Sequence, residues 1–179
     1  MKTRVMVETS LLVAMAVVLD YVAGVYSQAF WPYGGSVSFV LVPLAVLAYR
    51  HGVVMGVLGG AMVGVIQLLM GAYIIHPVQV LLDYPLPFAM LGLCGLFATK
   101  MKDSSKQTLT IIISVVVAST MRLVMHVLSG AIFFAEYAGD MNPWWYSIGY
   151  NAPFVILSGV ISAIVLIVLY KRYGKELVK

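Results

Sequence analysis

The sequence predicts an all-α polytopic membrane protein with six transmembrane helices and both termini in the cytoplasm. Of its 179 residues, 62% are apolar and 10% are charged, whereas soluble domains average about 45–50% apolar and about 25% charged residues. The mean hydropathy is +1.00. At about 20 apolar residues per span, the chain holds at most six or seven helices. We therefore expect one membrane domain over residues 1–179, embedded in the lipid bilayer.

The first helix is predicted over residues 6–25, which are apolar apart from a few polar side chains. A turn-rich, aromatic stretch over residues 24–36 follows and is typical of an outer loop. Helix two, predicted over residues 37–49, would cover only about 20 Å. It therefore needs a non-helical entry or a protected position to cross the bilayer.

Helix three is predicted over residues 52–70 and carries glycine at every fourth position, at Gly52, Gly56, Gly60 and Gly64. Small residues at this spacing let two membrane helices approach closely. A short loop over residues 71–77 leads to helix four, predicted over residues 78–99.

A polar loop over residues 100–107 precedes helix five, which is predicted over residues 108–134. A second aromatic outer loop is expected over residues 135–150 and helix six over residues 152–170. The basic tail covers residues 171–179, and the sequence contains no soluble domain.

The basic residues support this topology independently. With six spans, ten of the eleven lysines and arginines lie on one face, and the positive-inside rule makes that face cytoplasmic. They are Lys2, Arg4, Arg50, Lys100, Lys102, Lys106, Lys171, Arg172, Lys175 and Lys179. The net charge of +4 thus follows from topology and requires no nucleic-acid partner.

Aromatic residues concentrate on the opposite, outer side. An ordinary aromatic belt would decorate both interfaces, so the asymmetry favours a recognition surface for a flat or cationic ligand. The alternative is an outer belt with loop packing. The residues are Tyr26, Phe30, Trp31, Tyr33, Tyr73, Tyr84, Tyr137, Trp144, Trp145, Tyr146 and Tyr150.

Charged side chains within the spans mark a second feature, because they are costly at this depth. Asp20, Asp83 and Arg122 are predicted at similar heights. The functional interpretation of Asp83 is that its carboxylate neutralises a ligand cation, beside a Tyr84 ring that stacks or donates a hydrogen bond. The structural alternative is a buried ion pair of Arg122 with Asp20 or Asp83.

Arg122, His126 and Gly130 follow one another at four-residue intervals and so share one face of helix five. Gly130 leaves room beside the imidazole, and this face is expected to point at an outer pocket. A packing role is the alternative for His126. Asn151 either caps helix six or presents its amide to a heteroaromatic ring.

Several motifs are absent from the sequence. It contains no GxxxxGK[ST], HExxH or GxSxG motif, so no phosphate-cradling ATPase loop and no metal or nucleophile constellation is expected. A membrane enzyme using His126 and Asp83 as acid and base would lack both nucleophile and metal. We predict a binding subunit without catalytic residues, cofactor or metal, which takes its energy from a partner.

Ordered segments of the sequence resemble the thiamine-specific S component of energy-coupling factor transporters, and the resemblance covers essentially the whole chain. The segments are GGSVSF at residues 34–39, GAYIIHPVQ at 71–79, LDYP at 82–85, HVLSG at 126–130 and YSIGYN at 146–151.

The resemblance implies a thiamine site at the outer face. Trp31 would cover the ligand, and Asp83 with Tyr84 would meet the thiazolium. His126 and Gly130 would border the rings, while Tyr146 and Asn151 would bond the aminopyrimidine. Asp83 stands where a member of the family has a glutamate, and Phe134 stands where that member has a tryptophan. The implied substrate-binding residues are Trp31, Asp83, Tyr84, His126, Gly130, Phe134, Tyr146 and Asn151.

The resemblance also implies partners: one transmembrane coupling subunit and two cytoplasmic ATPase subunits, in the plasma membrane of a prokaryote. Ser10 and Ala14 align with the small-xxx-small docking motif of helix one. Two alternatives stay open, namely an S component for another vitamin and a ligand-free assembly subunit joined through the glycine ladder.

Overall fold

The computed structural model describes residues 3–32, 34–103 and 106–178, and these form helices without any strand. The prediction of an all-helical protein is confirmed. Lys2, Tyr33 and Lys179, which the sequence assigned to the two faces, lie outside the described residues, as do the side chains of Lys102 and Lys175.

The helices follow one another with short connections. They are α1 (Thr3–Ser27), α2 (Leu41–His51), α3 (Val53–Leu69), α4 (Pro77–Asp83), α5 (Pro85–Leu91), a 3-10 turn (Gly92–Phe97), α6 (Ala98–Asp103), α7 (Gln107–Phe133), a second 3-10 turn (Ala135–Ala138) and α8 (Pro143–Leu177). Among the described residues, four segments are long and apolar enough to cross a membrane: Thr3–Ser27, Pro77–Met101, Gln107–Phe133 and Pro143–Gly174. Val53–Leu69 is a shorter apolar helix.

The short second helix has the non-helical entry that its length predicts. It begins at Leu41, so the expected start at residue 37 is wrong. The preceding backbone has no regular secondary structure, and the Ser38 amide donates to Ser158 Oγ at 2.9 Å. This hydroxyl also lies 3.2 Å from the Ser36 carbonyl oxygen. Side chains therefore satisfy the irregular backbone, which is tolerated at membrane depth only inside the protein.

The fourth predicted helix is broken. Tyr84, with φ −117° and ψ −81°, separates α4 from α5. Pro85 explains the break, because proline lacks an N–H and disfavours helical geometry in the residue before it. The expectation of one continuous helix over residues 78–99 is wrong, and Asp83 ends a short helix near the start of this segment.

The glycine ladder of α3 packs within the chain. A Cβ on Gly60 would collide with the Phe88 carbonyl group, and one on Gly64 would collide with that of Tyr84. Both contacts are with the segment that begins at α4, so the predicted close helix approach is confirmed. Gly52 does not belong to the helix; its φ of +86° forms the turn between α2 and α3.

The last helix begins earlier than the sequence indicates. It starts at Pro143, and Asn142 Oδ1 accepts a hydrogen bond from the Trp144 amide at 2.9 Å. The expected loop up to residue 150 is therefore wrong, and so is the interpretation of Asn151 as an N-cap. The helix is capped instead by Asn142, nine residues before Asn151. Here too an asparagine N-cap is followed closely by a proline in the first turn.

Polar contacts gather the described ends of the chain at one end of the bundle. Glu8 of α1 lies 2.8 Å from Arg4, 3.0 Å from Arg50 and 2.8 Å from His51. Arg50, at the end of α2, also donates to the carbonyl of Glu176 in α8. We refer to this group of five residues as the basic end.

Candidate functional site

A cavity of about 570 Å³ opens at the end of the bundle opposite the basic end. This volume falls within the range of about 300–1,000 Å³ that is typical of small-molecule sites. Its walls come from the connection after α1, from the connection between α3 and α4, from α4 with the adjoining Tyr84, and from the facing ends of α7 and α8. The lining residues are Pro32, Gly34, Gly35, Gly71, Tyr73, Gln79, Asp83, Tyr84, His126, Gly130, Phe134, Tyr137, Tyr146, Ser147, Tyr150, Asn151 and Phe154.

The structure brings seven of the eight sequence-predicted residues to this cavity, and Trp31 is the exception. The Trp31 indole N–H donates to the Tyr150 carbonyl at 3.2 Å. Its ring meets Phe154 edge-on, with centroids 5.9 Å apart. Trp31 thus packs behind two lining residues instead of facing the cavity.

The carboxylate of Asp83 is oriented by a glutamine that the sequence interpretation did not assign to the site. Gln79, one helical turn earlier and fully buried, donates from Nε2 to Asp83 Oδ2 at 2.7 Å. The same amide lies 3.2 Å from the Tyr73 carbonyl. A glutamine four residues before an acid in an apolar helix was the available signal.

His126 of α7 lies between the Asp83 carboxylate and the Arg122 guanidinium. Its Nε2 lies 3.4 Å from Arg122 Nε, and its Nδ1 lies 3.6 Å from Asp83 Oδ1. Arginine can only donate, so Nε2 acts as the acceptor in the neutral imidazole and Nδ1 carries the proton that faces Asp83. The predicted common face of Arg122, His126 and Gly130 is confirmed by their shared position along the cavities.

Aromatic rings form most of the remaining wall. Phe134 lies between Tyr73 and Tyr137, with centroid distances of 6.2 and 6.1 Å. Tyr146 stacks on Tyr150 at 6.3 Å. These spacings are those of interacting aromatic pairs.

Tyr84 and Phe154 complete the aromatic wall. Tyr84 Oη accepts a hydrogen bond from the Tyr73 amide at 2.9 Å, which leaves its own proton available to a ligand. Phe154, which the sequence interpretation missed, meets the His126 ring edge-on at 5.8 Å. Nothing in the sequence indicated that Phe154 lines the cavity, because it lies in the first turn of the predicted last helix.

Gly130 and Asn151 meet at Ser147. A Cβ on Gly130 would collide with the Ser147 hydroxyl, so glycine is required for this close approach. Asn151 Nδ2 donates to the Ser147 carbonyl at 2.9 Å. Its Oδ1 accepts no hydrogen bond from the described residues and is available as an acceptor in the cavity.

The alternative of a buried ion pair between Arg122 and Asp20 or Asp83 is not found among the described residues. No carboxylate oxygen of the described residues lies within 4 Å of its guanidinium, which instead contacts His126 and lies 5.0 Å from the Phe88 ring centroid. In the part of the chain that the structure describes, no three His, Cys, Asp or Glu residues are grouped as a metal site.

A family model described as "Thiamine transporter protein" matches residues 6–178. The chain belongs to this family. The family is one of transport proteins, so the prediction that the chain is not an enzyme is confirmed, and its apolar helices indicate a multi-pass membrane protein.

Individual relatives agree with the family. The thiamine transporter ThiT of Bacillus subtilis (strain 168) is 37% identical over 173 residues, which cover 92% of this chain and 89% of that protein. ThiT of Lacticaseibacillus paracasei is 29% identical over 181 residues, covering 92% and 86%. The solved structure of ThiT from Listeria monocytogenes matches with a TM-score of 0.83 at 22% identity, covering 98% and 97% of the two chains. This chain and the Listeria protein therefore share the same fold.

Proposed function

We propose that this protein is the thiamine-binding S component of an energy-coupling factor transporter, which captures thiamine at the outer face and delivers it inward with a partner ATPase module. The observation that carries the proposal is the oriented Asp83 carboxylate in an aromatic cavity, in a chain of the thiamine transporter family.

The chemistry of thiamine suits this cavity. Its thiazolium ring carries a permanent positive charge, and Asp83 supplies the opposite charge where little water screens it. Tyr84 and Phe134 offer aromatic faces, and a desolvated cation over such a face is stabilised by about 2 kcal/mol. His126 and Gly130 would border the rings.

The neutral aminopyrimidine requires hydrogen bonds instead of charge. Asn151 has a free carboxamide oxygen that can accept from the amino group, and the Tyr146 phenol can donate to a ring nitrogen. Trp31 would support this wall through Tyr150 and Phe154 instead of covering the ligand directly.

The proposed topology is a single domain with six spans: α1, α2 with its irregular entry, α3, the α4–α6 segment, α7 and α8. Both termini and the basic end would face the cytoplasm, following the positive-inside rule. The cavity would then open to the outside of a prokaryotic plasma membrane.

Docking on the coupling subunit is proposed through α1. Ser10 and Ala14 are exposed on the same face of this helix, where small side chains would permit close helix contact. The two ATPase subunits would supply the energy. The glycine ladder is occupied within the chain, which weighs against the alternative of a ligand-free assembly subunit.

The direct test is a thiamine titration of the purified protein in detergent, followed by tryptophan fluorescence. We expect saturable binding that Asp83→Asn weakens by about 10-fold or more, because the cation loses its counter-charge. The matched control is Asp140→Asn, since this exposed acid does not line the cavity. Competition with other vitamins tests the alternative substrate. Equal affinity in both variants, or tighter binding of another vitamin, would reject the proposal.

A further inference from the structure

A second, smaller cavity continues from the floor of the thiamine site. Its volume is about 130 Å³, and it shares Gly35, Asp83, Tyr84, His126 and Phe154 with the larger cavity. The residues that belong to it alone are Asp20, Ser36, Gln67, Phe88 and Arg122. We call it the inner cavity. Space of this size accommodates several waters or a short polar arm of a ligand.

Arg122 is the reason to assign a ligand group to the inner cavity. This residue is only 5% exposed, and its Nε contacts His126 Nε2. Neither terminal nitrogen has a hydrogen-bond partner among the described residues, yet both belong to a side chain that lines the cavity. These donors face space that a ligand can enter, and a ligand oxygen placed there would complete their hydrogen bonding.

Asp20 supplies the complementary acceptor. Its Oδ1 lies 3.4 Å from the Ser36 hydroxyl and its Oδ2 accepts from Gln67 Nε2 at 2.7 Å. A carboxylate oxygen can accept more than one hydrogen bond. The inner cavity therefore presents donors from Arg122 and acceptors from Asp20.

A hydroxyl group fits this arrangement, because it accepts one hydrogen bond and donates another. We propose that the inner cavity binds the hydroxyl end of the hydroxyethyl arm of thiamine, with Arg122 donating to the oxygen and Asp20 accepting its proton. The proposal rests on the proposed function. It assigns Arg122 and Asp20 to selection of the unphosphorylated vitamin, because a phosphate would meet two carboxylates, Asp20 and Asp83, against one guanidinium.

The test compares two ligands on the wild-type protein by calorimetry in detergent: thiamine and an analogue whose hydroxyethyl arm is replaced by ethyl. We expect the ethyl analogue to bind about 10-fold or more weakly, since buried polar groups lose their partner. Arg122→Met should weaken thiamine binding and abolish the difference between the ligands. Arg172→Met, at an exposed position near the basic end, is the control and should retain the difference.

The possible outcomes separate the two proposals. If the wild-type protein does not bind thiamine, the proposed function fails and this inference fails with it. If it binds thiamine and the ethyl analogue equally, only the hydroxyl assignment fails.

Thiamine monophosphate and Asp20→Asn extend the comparison to a variant that keeps Arg122. The phosphate ester should bind the wild-type protein more weakly than thiamine, and Asp20→Asn should narrow that gap. Tighter binding of the phosphate ester by the wild-type protein would make Arg122 a phosphate anchor and overturn the proposal. Should Arg122→Met not fold, the wild-type ligand pair and Asp20→Asn decide the matter.

Discussion

The direction of the Asp83 carboxylate depends on Gln79. The glutamine is fully buried, and its side chain bonds both Asp83 and the Tyr73 backbone. A carboxylate held by a buried amide has one orientation, so less conformational entropy is lost when a cation binds. Gln79 is thus a positioning residue for the proposed charge contact.

Replacing this glutamine should weaken thiamine binding without removing any predicted ligand contact. We expect Gln79→Met to lower thiamine affinity by about 10- to 100-fold, the effect of one hydrogen bond to a charged group. Calorimetric titration checks this. Gln28→Met, at an exposed position outside the cavity, should leave the affinity unchanged; equal affinities in the two variants would contradict the role of Gln79.

Phe134 allows a gain of affinity to be tested. Tryptophan has the strongest cation–π face among aromatic side chains, and Phe134 already lies between two tyrosines on the cavity wall. We expect Phe134→Trp to tighten thiamine binding by about 2- to 10-fold, which corresponds to the usual value of such contacts. A titration that shows weaker binding would mean that the larger ring blocks the cavity.

At the residue scale, the sequence identified the polar side chains of the cavity but not the residues that position them or pack against them. Asp83 and His126 stood out because polar groups are rare in apolar spans, and Asn151 stood out because it precedes a predicted helix. Gln79 and Phe154 did not stand out, because their roles depend on contacts across helices that no local pattern encodes. Trp31 was expected to face the ligand, but its indole bonds a backbone carbonyl instead.

At the scale of elements, one hydroxyl group that holds the irregular entry to α2 comes from a distant helix. Ser158 of α8 bonds the Ser36 carbonyl and the Ser38 amide, so two backbone groups of this entry share one partner on a distant helix. Ser162 lies one helical turn later and is equally buried, but its hydroxyl has no hydrogen-bond partner among the described residues. The two serines therefore form a natural comparison.

Alanine substitutions of these two serines should change the free energy of unfolding differently, in sign or in size. Ser158→Ala should lower stability by about 1–3 kcal/mol, because the Ser38 amide loses its acceptor. Ser162→Ala should be neutral or stabilising, since no hydrogen bond is lost. Thermal unfolding in detergent measures both, with a decrease of about 3 °C or more expected for Ser158→Ala alone. A similar decrease in both variants would indicate a general packing effect.

Helix bounds were predicted most accurately where the length of an apolar segment determines them. They were predicted least accurately where a proline or a capping residue determines them. The long helices α1 and α7 follow from their composition, and the short α2 required the irregular entry that was observed. The break at Tyr84 was not predicted, and the start of α8 was predicted at residue 152 instead of Pro143. Proline stands at both places, at Pro85 and at Pro143.

At the scale of the whole molecule, the two ends of the bundle have different chemistry. The basic end ties α1, α2 and α8 together through Glu8 and Arg50, whereas the opposite end surrounds the cavity. Because binding and docking would use separate surfaces, substitutions on the outside of α1 can affect transport while the thiamine site remains intact. This separation is testable.

The outside of α1 carries small side chains at Ser10 and Ala14, both exposed. If the coupling subunit packs there, a large side chain would hold the two helices apart. We expect Ser10→Leu to reduce ATP-driven thiamine uptake by about 10-fold or more in proteoliposomes that contain the coupling subunit and both ATPases, and to leave thiamine affinity in detergent unchanged.

Thr120→Leu provides the matched control, because Thr120 is an exposed polar residue of similar size on α7. Uptake should be retained in this variant, since added apolar bulk that faces lipid costs little. Equal uptake by both variants would place the docking surface elsewhere than on Ser10. Loss of thiamine affinity in Ser10→Leu would mean instead that α1 transmits changes to the cavity, because Asp20 on the same helix lines the inner cavity.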